Sequence, residues 1–547
     1  MTSAGSGRVW MLVALLVAGL ALVPILAVAQ SLVFGSGDAF GHLVSTILPS
    51  YVFNTALLML LVGVLSTVIG VGTAWLVSSS AFRGRRFWSW VLVLPIAAPA
   101  YIIAYLYTDL LTYSGPVQSA LRDVFDWSAA DYWFPEVRSL PGAALMLSLV
   151  LYPYVYLLAR ASFAAQSRSQ LLAARSLGLS PLRAFWRVVL PGARPAIVGG
   201  LALVLMETLA DFGVADYFAI PTFSTGIFRT WFALGDLGAA MQLAGVMLIF
   251  VVALVMIEAA TRRGHVSSGD RLSAGDPPFR LRPGHAALAN IACAVPVSLG
   301  FFIPMAMLAA NVLAERDSQS FAAFSGFVAN SVGTAGITAG IATLIAILLA
   351  YAARQAQGGG SGGRILIAGV RISTLGYALP GALLAVGLLG PLGVVDQSLT
   401  RTLRDTFGWG GGLILSGTVA LLIYALTVRF LTVSYNSVSA GMAKIAPSID
   451  AAARSLGASP LALMRRVHVP LLGPQIAVSA SLVFVDVMRE LPATLILRPF
   501  DFETLATRVY RLASDERIVE ASSAAIVIVL IGLIPVFVLN AEPKREG

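Results

Sequence analysis

Four acidic residues stand at matched positions in two apolar stretches of the chain: Glu207 and Asp211 in one, Asp486 and Glu490 in another 279 residues further on. Each pair is spaced i, i+4, which sets both carboxylates on one face of a helix. Carboxylate oxygens are hard donors, and hard donors suit Fe(III) or another hard cation. A charge inside a hydrocarbon layer costs roughly 2.5–3.5 kcal/mol on insertion scales, so it normally faces a cavity or a partner. Two readings of the four acids stand open. They line a pathway between two halves of the molecule, or they pair structurally, with Arg489 the nearest cation in sequence. Asp216 and Tyr217 sit closer to the outer end and receive no role. Tyr101, Tyr105 and Tyr107 read as packing or interfacial aromatics. One cysteine, Cys293, and four scattered histidines (His42, His265, His285 and His468) offer no disulfide framework and no Cys/His metal motif, so no metal ligand is assigned.

The elements that carry these acids must be apolar helices. Of 547 residues, 58% are hydrophobic and 12% charged, with a mean hydropathy of +0.85. A soluble protein carries about 25% charged residues, so most of this surface avoids water. Runs long enough to cross a bilayer fall at 9–29, 51–80, 87–111, 141–163, 196–220, 241–260, 290–313, 330–352, 365–392, 411–434, 475–497 and 521–540. With both termini placed inside, Lys and Arg collect in the cytoplasmic loops and acids on the other side, as the positive-inside rule demands. The net charge of +9 therefore reflects topology and not binding to nucleic acid. Ala27-Val28-Ala29 resembles a signal-peptide cleavage site. The preceding apolar run is longer than a usual signal core, and a retained first helix keeps both termini cytoplasmic. The fold class is an all-α polytopic membrane protein of about 12 transmembrane helices.

A repeat divides the chain. Arg175-Ser176-Leu177-Gly178 after Ala173-Ala174 recurs as Arg454-Ser455-Leu456-Gly457 after Ala452-Ala453, and each copy runs on to a proline, Pro191 or Pro470. Asn54-Thr55 matches Asn330-Ser331, and Pro99-Ala100 matches Pro380-Gly381. These landmarks imply two homologous six-helix halves in the same orientation, 1–260 and 290–547, joined by a cytoplasmic linker at 261–289. Gly358–Gly363 reads as a flexible connector. In the repeated loops, 167–195 and 444–474, Ser169 or Ser448 is expected to cap a short helix, with Asp450 in its first turn. Gly178 and Gly457 then take the left-handed position that ends it. Ser180-Pro181 and Ser459-Pro460 restart a helix, which Pro191 and Pro470 stop. A DNA-binding helix pair would need freedom that the flanking spans deny. An ordinary register-holding loop and a docking site for a soluble partner both fit, and repetition of the detailed sequence favours docking.

The Ala-Ala-x-x-x-Gly pattern, followed after a fixed gap by hydrophobic-x-hydrophobic-Pro, resembles the "EAA" coupling loop of ABC importer permeases. The segments Glu207–Gly213, Arg489–Leu495 and Phe502–Tyr510 are similar to those of ferric-iron transport permeases. The resemblance implies the type I ABC importer permease fold in a fused two-half form, sited in the bacterial inner membrane. It makes Ala173, Ala174, Arg175, Gly178, Pro191, Asp450, Ala452, Ala453, Arg454, Gly457 and Pro470 the ATPase-coupling residues. It implies two copies of a cytoplasmic ABC ATPase, which hold the ATP and Mg, and a periplasmic substrate-binding protein docking near 112–140, 391–410 and 498–519. The chain itself would bind no cofactor and catalyse no reaction. Leu171-Leu172 replaces the family's acidic position in the first copy, which implies unequal coupling sites. Thiamine and phosphonate permeases share the architecture. The rival class is a proton-coupled twelve-span secondary transporter, in which the membrane acids would carry protons.

Overall fold

The computed structural model describes residues 3–35, 38–165, 176, 178–262, 279–314, 321–356, 360–408, 411–412 and 414–540. Among them, ten helices are long and apolar enough to cross a membrane. Two bent pairs, Arg85–Ala97 with Ala100–Phe125 (90°) and Pro460–Leu471 with Gly473–Met488 (77°), bring the count to twelve if each is one span. The protein is thus a multi-pass, nearly all-helical membrane protein.

The helices break where the acids lie. The fifth span was expected to continue to 220 but ends at Ala210, and a short helix, Gly213–Tyr217, follows. The eleventh, expected to reach 497, ends at Met488 and is followed by Pro492–Leu497. Pro492 has no N–H to donate, so it begins a helix more easily than it continues one. Pro99 and Pro380 act alike. Each caps a helix (Ala100–Leu111 and Gly381–Phe407) after a turn of 3₁₀ helix. The ninth span therefore does not occupy 365–392. A helix over Gly360–Ser373 precedes the break, and the span after it runs to Phe407, so most of the expected outer loop 391–410 is helical. The expected connector Gly358–Gly363 already lies in helix from Gly360 onward.

Matched sequence landmarks make matched contacts. Asn54 Nδ2 donates to the carbonyl of Pro221 (3.2 Å), and Asn330 Nδ2 to that of Glu503 (3.0 Å). Thr55 Oγ1 accepts from the amide of Phe223, and Ser331 Oγ from that of Leu505. Reciprocal capping boxes, Thr222/Thr225 and Thr504/Thr507, start the helices that follow.

The two sequence halves are interleaved. The first span, Val9–Phe34, packs on the second half: Tyr424 Oη donates to the Leu20 carbonyl (2.6 Å), and Gly387 lets its backbone approach where a β-carbon would collide with the Pro24 carbonyl. The seventh span, Pro283–Ala314, crosses to the first half. There Trp88 Nε1 donates to Asn290 Oδ1 (2.7 Å), and Tyr107 Oη to the Leu299 carbonyl (2.7 Å). Just before it, Phe279–Arg280 pairs in parallel with Ser80–Ala81 at the end of the second span.

Candidate translocation cavity and coupling elements

All four predicted acids line one cavity of about 130 Å³. It lies between the halves, where the fifth and eleventh spans break. The first half contributes Tyr101, Tyr154, Glu207 and Asp211; the second contributes Tyr377, Arg429, Asp486, Arg489 and Glu490. Within each pair the acids do not share a continuous helix, because each second acid lies past the helix end. The turn of the chain, and not the helical repeat, brings them to one space.

Their partners differ. Glu490 is buried and fully engaged: Arg429 Nη1 donates to it at 2.9 Å, and the amides of Ala493 and Thr494 and the Thr494 hydroxyl donate at 2.7–3.0 Å. Gly381 makes room for this contact, since a β-carbon there would collide with Arg429 Nη1 and Glu490 Oε1. Asp486 pairs with Arg489, three residues on, and Arg489 also donates to the Ile96 carbonyl of the first half (2.8 Å). Asp211 accepts backbone amides, that of Ala215 (3.1 Å) and that of Val214. Glu207 accepts the Tyr377 hydroxyl (3.0 Å) across the interface between halves. Among the described residues, neither Glu207 nor Asp211 forms a salt bridge. With every group ionised, four acids against two arginines leave an excess of two negative charges. Among the described residues, no cluster of three or more His, Cys, Asp or Glu is spaced to hold a metal ion.

The sequence reading missed Arg429, Tyr154 and Tyr377. Arg429 carried a signal, because an arginine within an apolar span is itself a functional-site marker. The two tyrosines carried none. Tyr105 packs edge-on to Tyr217, as expected of a packing aromatic, while Tyr101 also borders the cavity. Asp216, given no role, accepts from Tyr510 Oη at 2.7 Å and so ties the halves together.

At the coupling loops, Gly178 (φ 78°) and Gly457 (φ 81°) are left-handed, as expected. Ser459 Oγ accepts from the amide of Ala462 (3.3 Å) and caps the restarted helix. Other expectations fail. Pro447 occupies the first helical position of Pro447–Ser455, so Ser448 lies inside that helix and does not cap it. Pro191 does not stop the following helix. A π-turn at Phe185–Val189 absorbs the missing hydrogen bond, and the fifth span runs on through the proline. Pro470 likewise follows a π-turn, Met464–His468, and the bend comes at Leu472–Gly473. Ala173, Ala174, Arg175, Ser169 and Leu171-Leu172 lie outside the described residues. Ala452, Ala453 and Arg454 belong to the helix Pro447–Ser455, and Ala452 and Arg454 are solvent-exposed. Asp450 is buried and points into the protein. Arg354 holds it in a two-pronged pair (2.7 and 3.2 Å), and His468 Nε2 lies 2.9 Å away. Burial alone would raise its carboxyl pKa, but Arg354 and His468 outweigh that and hold it below the usual range.

Residues 66–263 match the family of binding-protein-dependent transport system inner membrane components. Residues 66–263 accordingly form a permease domain of that family. Fe(3+)-transport system permease protein FbpB 2 of Haemophilus influenzae is 25% identical over 492 residues, spanning 89% of this chain and 88% of the relative. A putative ferric permease, FbpB 1, from the same organism is 23% identical and spans 89% of this chain and 76% of its own length. A putative 2-aminoethylphosphonate permease, PhnV, of Salmonella typhimurium is 33% identical over 137 residues, 25% of this chain and 52% of the relative. The family match falls almost wholly within the first half, from residue 66 on. The repeated loop and the two long alignments carry the likeness into the second.

Proposed function

We infer that this permease imports ferric iron, driven by ATP hydrolysis on two separate ABC ATPase subunits. The two fused halves, 1–260 and 290–547, each present one coupling element on the cytoplasmic side, where both termini also lie. Substrate arrives on a periplasmic binding protein. The left-handed Gly178 and Gly457 are solvent-exposed, as is most of the helix Pro447–Ser455 before the second, which suits insertion into an ATPase cleft.

The substrate class rests on one observation, the charge of the cavity. Relatives with a phosphonate name take an anion. Here both arginines are already occupied by carboxylates, and Glu207, beside the cavity, accepts the Tyr377 hydroxyl and forms no salt bridge among the described residues. An anion would meet excess negative charge, whereas a hard cation would meet oxygen donors. The cavity of about 130 Å³ has room for an ion with a few waters. The family match supports the ATP-driven class over a proton-driven carrier.

Two experiments test this reading. Purification from mild detergent should bring down a pair of Walker-motif ATPases, lost when Gly178 and Gly457 are both replaced by proline. In proteoliposomes carrying the complex and its binding protein, ferric iron should accumulate with ATP, while molybdate and 2-aminoethylphosphonate neither enter nor compete. Uptake of either anion in place of iron would overturn the substrate assignment.

A further inference from the structure

Arg354, at the cytoplasmic end of the eighth span (Ala323–Ala356), is bound at every branch of its guanidinium. Its Nε and Nη2 hold Asp450 of the coupling helix Pro447–Ser455. Its Nη1 donates to the Met442 carbonyl (2.8 Å) and Nη2 to that of Ile445 (2.9 Å), at the end of the tenth span. Asp450 in turn meets His468, fully buried in the π-turn that leads into the eleventh span. One turn before Arg354, Tyr351 Oη donates to the Pro460 carbonyl (2.8 Å), and the Tyr351 ring packs against His468. One buried charge network therefore joins the coupling helix to three spans.

The first half carries no charged residue at the corresponding positions. With Asn54 matched to Asn330, Arg354 corresponds to Ser78, and with Arg175 matched to Arg454, Asp450 and His468 correspond to Leu171 and Val189. The Ser78 hydroxyl is buried without a hydrogen-bond partner among the described residues. In its place Trp75 gathers Phe163, Phe185 and Phe279, with ring centroids 5.0–6.1 Å apart. A ring cluster tolerates sliding; a forked, buried ion pair holds one geometry.

We propose that Arg354 is a positioning residue for energy coupling: it locks the second coupling helix to the eighth and tenth spans, so that motion delivered to that helix moves the second half as one body. The first half transmits the same motion through the softer aromatic cluster. This proposal rests on the importer reading above.

The test uses the full complex in proteoliposomes and reads ions transported per ATP hydrolysed. Arg354→Gln and Asp450→Asn should each lower that ratio about fivefold to tenfold, within the range by which coupling-network substitutions act. The double variant should do no worse than either single one. Arg354→Lys, which keeps the charge but not the fork, should recover part of the loss, and Ser78→Ala should leave the ratio unchanged. An unaltered ratio in Arg354→Gln, or losses that multiply in the double variant, would overturn the proposal. Hydrogen exchange on the purified chain separates this from the importer reading. Arg354→Gln and Asp450→Asn should speed exchange at amides 447–457. If no ATPase accompanies the chain, faster exchange there still upholds the lock, and unchanged exchange refutes it.

Discussion

Asp486 and Glu490 each meet an arginine inside the membrane, Arg489 and Arg429 respectively, while Glu207 and Asp211 at the matching positions of the first half meet none among the described residues. The reason is legible position by position. Where the second half carries Arg489 and Arg429, the first carries Ala210 and Val150 at the same 279-residue offset. One motif thus takes on two jobs. In the second half the acids are internal counter-ions that fix the broken eleventh span against the tenth span and the first half. In the first half the same chemistry is left facing an open space. Of the two readings that the sequence leaves open for all four acids, structural pairing is met by the second pair, and pathway lining is proposed for the first alone.

The comparison can be broken most severely at Arg429. Arg429→Met strands Glu490 as an uncompensated buried charge, and should cost about 3–5 kcal/mol of stability. The measurement is denaturant unfolding of the purified protein in detergent. Adding Glu490→Gln to that variant should restore part of the loss, because the stranded charge is then gone. Equal instability of both variants would mean that the pair is not what holds this region. A smaller effect is expected at the unpaired acid's one contact. Tyr377→Phe removes a single hydrogen bond to Glu207, about 0.5–1.5 kcal/mol, and should leave the amount of folded protein unchanged while lowering iron uptake by no more than about tenfold.

The smallest effect concerns pH at the second coupling element. The carboxyl of Asp450 is held below the ordinary range, so its pairing is complete above the unfolded value of about 3.9 and is lost only as pH falls through the depressed one. Protonation of Asp450 should therefore add no pH dependence to coupling between about pH 5 and 8. Hydrogen exchange at 447–457, followed across that interval, should be flat after correction for intrinsic chemistry. A rise toward pH 5 that persists in His468→Gln would show that Asp450 is protonated more easily than its contacts imply.

Much of this molecule was readable before its structure. Hydropathy located the apolar segments, the charge bias suggested their orientation, and the duplicated Arg-Ser-Leu-Gly phrase marked the two left-handed turns at Gly178 and Gly457. What escaped was decided by residues far apart in sequence. A hydropathy window passes smoothly over Ala210–Gly213, although the chain turns there. Leu491-Pro492 did hold the warning, since proline begins a helix more readily than it continues one. The inward turn of Asp450 depends on Arg354, 96 residues away. Glu490 is neutralised by an arginine 61 residues before it. The exchange of first helices between halves leaves no local trace in the sequence, because an apolar helix reads the same whichever half it packs against.

The central claim is that Glu207 is the carboxylate offered to the substrate. The most direct test is ATP-driven ferric iron uptake by Glu207→Gln in proteoliposomes, with unfolding stability measured on the same preparation. Stability should stay normal while uptake falls at least about tenfold, with partial recovery in Glu207→Asp, where a charge but not its reach is restored. Normal uptake in Glu207→Gln would contradict that claim, and a loss of stability to match Arg429→Met would return Glu207 to the structural role its counterparts hold.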